Sequence, residues 1–76
     1  MTLNQLRPGQ RAVITHVGGQ GPLRRRLAEM GLLKGEVIVA ERIAPLGDPA
    51  AYLIKGYHLS LRNRDAAQIR VSTEGI

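Results

Sequence analysis

The sequence predicts a mainly β domain: a small, partly open barrel of five short strands with one short α-helix inserted. Three observations lead there. Runs rich in β-branched residues recur between turn signals at spacings of about eight to twelve residues. Only one stretch, Gly21 to Gly35 (GPLRRRLAEMGLLKG), carries a helical period. The chain has 76 residues and 43% hydrophobic content, enough for one compact core. It shows no internal repeat, low-complexity tract or domain boundary, so residues 1–76 are expected to form a single domain.

The elements follow in order. Thr2 to Gln10 holds Leu3 and Leu6 and ends in the Pro8-Gly9 turn. Arg11 to Val17 (RAVITHV) is a strand by its β-branched content, and Gly18-Gly19-Gln20-Gly21 breaks it. After a Lys34-Gly35 turn, Glu36 to Ala44 is the next strand. It is apolar on both faces at Val37, Ile38 and Val39, which predicts a central position. Pro45-Leu46-Gly47-Asp48-Pro49 is a rigid loop. Ala50–Ile54 and Tyr57–Arg62 form a hairpin across Lys55-Gly56, where Gly supplies the positive φ of a tight turn. The second arm alternates, with Tyr57, Leu59 and Leu61 expected inward. Asn63 to Ala67 reads as one helical turn and Gln68 to Val71 as a closing strand, with Ser72–Ile76 a loose tail.

The helix is specified at both ends. Leu23, Leu27 and Met30 stand at i, i+4 and i+7 and make one apolar stripe. Pro22 sits where a helix has no use for its N–H. Gly31 is placed to be the left-handed residue after the helix, which brings Leu32 against Leu27. A helix of about nine residues, about 13 Å long, does not persist alone in water. Its stripe must therefore cover an open end of the barrel.

Composition narrows the function. The formal net charge is +5, which suits an acidic partner and equally a well-solvated surface. Tyr52 and Tyr57 are the only aromatic residues, too few for stacking single-stranded nucleic acid or for a proline-peptide groove. Without cysteine there is no disulfide framework and no thiolate site, which fits a reducing cytosol. The longest apolar runs are about five residues, far short of a membrane span, and MTLNQLRPG lacks a signal-peptide core. The expectation is a soluble, cytoplasmic domain.

The chemistry that can be excluded is broad. Gly18, Gly19 and Gly21 do not complete a dinucleotide fingerprint, and Gly35 follows Lys34 where a phosphate loop needs it before. The six carboxylates are scattered without acid–base pairing. His16 and His58 are the only metal candidates and weak ones, since no companion stands at ligand spacing. No enzyme activity, no cofactor and no high-affinity iron site are expected. Two features remain. Arg24-Arg25-Arg26 lie early in the helix, where the dipole disfavours cations. The loop Ala44–Pro49 holds Leu46 beside Asp48 on a stiff frame, as a docking point would.

These residues resemble the FeoA family, small cytosolic proteins of bacterial ferrous iron transport. The resemblance runs from Leu6-Arg7-Pro8-Gly9 and Ala12-Val13-Ile14 through Arg26-Leu27, Met30-Gly31-Leu32 and Lys34-Gly35. It continues with Ala44-Pro45-Leu46-Gly47-Asp48-Pro49, Leu59-Ser60-Leu61-Arg62, Ala66 and Ile69-Arg70-Val71. The Arg run is heavier than the family pattern. The resemblance implies an SH3-like barrel with a helical insertion. It also implies a partner, the membrane iron transporter FeoB with its cytosolic GTPase domain, on which GTPase activation, complex assembly and gating are all conceivable actions. Contact with the membrane would run through that partner only, and any self-association would be weak. The residues expected to touch the partner are Arg24, Arg25, Arg26, Pro45, Leu46, Gly47, Asp48, Pro49 and Arg62, with the outward face of His58, Ser60 and Arg62 as the alternative surface. Two other readings compete. One is a ribosomal-type RNA-binding barrel, although no nucleic acid is expected. The other is a free-standing domain akin to the C-terminal barrel of iron-dependent repressors, whose DNA-binding and metal-site domains this sequence lacks.

Overall fold

The architecture comes from a computed structural model that describes residues 1–74. Five strands form one antiparallel sheet: β1 (Arg11–Val17), β2 (Val37–Ile43), β3 (Ala50–Ile54), β4 (Tyr57–Leu61) and β5 (Ile69–Ser72). Their spatial order is β4-β3-β2-β1-β5, so β2 is central as its apolar run predicts. It is covered on one face only. Ile38 and Ala40 are buried, whereas Val37 is 38% exposed.

Two bulges curl the sheet. One falls between Ile14 and His16 where β1 meets β5, the other between Ala40 and Arg42 where β2 meets β3. An extra residue in one strand bends it and raises the local twist, which wraps five strands around a core that a flat sheet leaves open. The first bulge also turns side chains over. Ile14 is fully buried while both Thr15 and His16 are exposed, an outcome strict alternation does not allow.

Helix α1 (Pro22–Glu29) starts and stops where the sequence places it. Gly31 has φ +89, its N–H donates to Ala28 O at 2.9 Å, and the Leu32 N–H donates to Leu27 O at 3.0 Å. That pair of bonds is the Schellman stop. Leu27 and Leu32 are fully buried, and Leu23 and Met30 pack partly buried against the core. The hairpin turn is also as read: Lys55 and Gly56 have φ 52 and 81, the left-handed pair that matches strand twist.

Four expectations need correction. Leu3 and Leu6, read only as apolar residues before a turn, are core: Leu3–Gln5 is a 3₁₀ turn, and Met1–Thr2 extends along β5 with the Val71 N–H donating to Met1 O at 2.8 Å. The alternation of β4 fades along the strand, since Leu61 is buried, Leu59 half-buried and Tyr57 41% exposed. An edge strand leaving the core loses its covered face, and Tyr57 instead donates its hydroxyl to Met30 O at the helix end. Arg62 leaves the strand to become the residue before α2 (Asn63–Ala66). Ser72 is not tail but strand, opposite Val13, while Gly75 and Ile76 lie outside the described residues.

Candidate docking surface

Consecutive helix residues point about 100° apart, so three adjacent arginines cannot share one face. Arg24, Arg25 and Arg26 are all exposed. Arg24 leans over a groove between α1 and the end of β1, together with His16 and Lys34. Arg26 points the other way, to Asp65 of α2 at 3.5 Å. Arg25 lies between them and makes no ion pair among the described residues. The dipole argument also divides. In an eight-residue helix Arg26 already falls in the last turn, where a cation is favoured, and only the earlier arginines stand against the dipole.

The Pro45–Pro49 loop is clamped rather than merely short. Its base closes through the Ala44 N–H to Pro49 O at 3.0 Å and the Gly47 N–H to Ala44 O at 2.7 Å. Asn63 then holds it from α2: its backbone N–H donates to Asp48 Oδ1 at 2.9 Å and its side-chain amide to Gly47 O at 2.8 Å. Leu46 is left at the tip, 97% exposed. Asp48 is thus occupied in holding the loop. Burial first, and the Asp48 charge second, push the Tyr52 hydroxyl above its ordinary pKa.

Strand pairing joins this loop to one side of the helix. Ser60 and Arg62 border a hollow with Asp48 and Pro49. The same two residues border a cleft of about 390 Å³ with Arg26, Met30, Arg64 and Asp65. Arg42 and Ala51 continue the surface beside Pro49 and Ser60. Of the expected partner residues, Arg26, Arg62, Asp48 and Pro49 come together, with Leu46 and Gly47 on the same loop. Arg24 does not join them. Arg42 and Arg64 belong to this face and were not singled out from the sequence. Arg42 stands opposite Ala51, and Ala51 opposite Ser60, a relation that exists only once the register is known.

The two histidines stay apart in role. His16 borders the Arg24 groove, and His58 Nδ1 lies 2.5 Å from Glu41 Oε1 across the sheet. Among the described residues no three His, Asp or Glu side chains gather as a metal site, and no helix is long and apolar enough to cross a membrane.

Comparison with known proteins fits this geometry. The FeoA domain family matches residues 1–73. A fusion of Fe(2+) transport protein A with the Fe(2+) transporter FeoB, from Porphyromonas gingivalis, is 46% identical over 71 residues. Those residues are 93% of this chain and 8% of that protein. The solution structure of iron(II) transport protein A from Clostridium thermocellum superposes with a TM-score of 0.94 at 39% identity, over 99% of this chain and 46% of that one. The crystal structure of Stenotrophomonas maltophilia FeoA, an SH3 domain protein complexed with zinc, gives 0.84 at 29% identity over 95% of this chain and 89% of that one. The barrel with its inserted helix is therefore the SH3-like fold of FeoA proteins.

Proposed function

This chain belongs to the FeoA family, and on that footing we propose that it serves ferrous iron uptake as a cytosolic accessory of a FeoB-type membrane transporter. The observation that carries this reading is the relative in which the two are one polypeptide. Fusion raises the effective concentration of one module beside the other to about millimolar, an arrangement that favours contact between the two. The accessory acts by binding and modulating the transporter and its GTPase domain, and has no catalysis of its own.

We place the contact on the face that runs from Arg26 through Arg62, Arg64 and Ser60 to Pro49, with Leu46 as its apolar tip. Arg62 and Arg64 have no carboxylate partner among the described residues, so the face suits an acidic surface. A clamped loop presents Leu46 without further ordering cost on binding.

The test is calorimetric titration of the transporter's cytosolic GTPase domain into the wild type, into Leu46→Asp and into the double variant Arg62→Glu with Arg64→Glu. All three positions are exposed, so folding should hold. Each variant should bind at least about tenfold more weakly, and added salt should weaken the wild type. Variants that fold, bind and support iron uptake like wild type remove this face from the contact. A wild type that neither binds nor supports uptake removes the accessory role itself.

A further inference from the structure

The opposite side of α1 carries a second hollow that the docking face does not use. Its volume is about 340 Å³, near the small end of ligand sites and enough for one or two side chains. Val17, Ala28, Leu32 and Leu33 form its apolar lining, and His16, Arg24 and Lys34 stand around them. No carboxylate lines it. Arg24 and Lys34 form no ion pair among the described residues, while the nearby Glu36 is engaged by Lys55 at 3.3 Å. Two fixed positive charges and an imidazole thus surround an apolar floor with nothing to neutralise them.

The hollow is also preformed. The β1 bulge turns His16 out of the core and toward it. The Leu33–Lys34 wall is held by the Leu33 N–H to Gly31 O at 3.0 Å, the Glu36 N–H to Leu33 O at 3.1 Å and the Gly35 N–H to Ile14 O at 2.7 Å. Leu33 is 43% exposed in this fixed loop and gives the hollow an apolar wall open to solvent.

From this the geometry points to a recognition site for a short acidic protein segment that carries one apolar anchor. The anchor seats on Val17, Ala28 and Leu33, and flanking carboxylates meet Arg24 and Lys34. Charge complementarity selects the occupant: a basic or neutral apolar segment leaves the two cations unmatched, and a purely acidic one leaves the floor wet. The site stands independently of the docking face, because the two hollows share no residue.

The test is an NMR titration of the ¹⁵N-labelled chain with a capped pentapeptide, one leucine between two pairs of glutamates. Saturable amide shifts are expected at Val17, Ala28, Leu33 and Lys34. Replacing the peptide's leucine by serine should weaken binding at least fivefold, and Arg24→Glu with Lys34→Glu at least tenfold. Arg62→Glu with Arg64→Glu should bind the peptide like wild type, which separates this site from the docking face. Should the charge-reversed variant not fold, Leu33→Ser tests the wall alone and should also weaken binding. The proposal is overturned by three results: no saturation at millimolar peptide, shifts centred on Ser60 and Arg62, or an affinity indifferent to the leucine.

Discussion

The two sides of α1 draw on one run of three arginines, Arg24 on one and Arg26 on the other, and differ in what answers them. On the Arg26 side, Asp65 approaches at 3.5 Å and the cleft wall is largely polar, with Ser60, Arg62 and Arg64. On the Arg24 side no acid lines the hollow and its floor is aliphatic. A single run of like charge thus becomes two different surfaces, because helix rotation aims each arginine at a different part of the fold. The lesson is that a charge run on a short helix is read residue by residue against what the tertiary fold sets beside each one.

The change with the largest expected effect abolishes the comparison. Leu27 is fully buried, and its carbonyl accepts the Leu32 N–H that stops the helix, so it holds both sides in place. Leu27→Ala should cost about 2–5 kcal/mol and lower the melting temperature by about 10 °C or more. An unchanged melting curve would show that α1 is not anchored by its stripe.

A middle-sized effect isolates the loop side. Asp48→Ala removes the acceptor for the Asn63 N–H and should cost about 0.5–1 kcal/mol, with faster amide exchange around Gly47 and no change near His16. The same residue enters the pH dependence. The Tyr52 pKa is raised in the fold, first by burial and then by the Asp48 charge. Above pH 10, the ordinary tyrosine value, the unfolded chain releases this proton while the folded chain keeps it. The unfolded state then binds fewer protons, so stability is full below that pH and falls as pH rises through the folded value. Asp48→Ala should make the alkaline loss shallower. An unaltered alkaline profile would remove Asp48 from the Tyr52 environment.

The smallest effect separates the two arginines directly. Arg26 is 63% exposed in its pair with Asp65, so Arg26→Ala should destabilise by no more than about 0.5 kcal/mol. Arg24→Ala should cost nothing measurable, and any stabilisation would come from relieving the helix dipole. Equal losses from both would mean that the two sides are balanced alike, with no asymmetry across α1.

The sequence by itself determined the signals that act over a few residues. Pro22 and Gly31 bound the helix, Leu32 follows with its contact to Leu27, and Lys55-Gly56 turns the hairpin, because each needs only local φ values and neighbouring donors. It also placed Arg26, Arg62 and the Pro45–Pro49 loop among the candidates for one surface. What it could not express was which of these meet. The Asn63 clamp on Asp48 spans 15 positions, the Tyr57 contact to Met30 spans 27, and the Arg26–Asp65 pair spans 39. The place of Arg42 and Ser60 on the docking face needs the β2–β3–β4 register, and the outward turn of His16 needs a bulge against β5. The burial of Leu3 needs the N-terminus to run along β5. Local chemistry fixes where elements begin and end. Only the packing of distant strands, with the loop-closure entropy already spent, decides which side chains become neighbours.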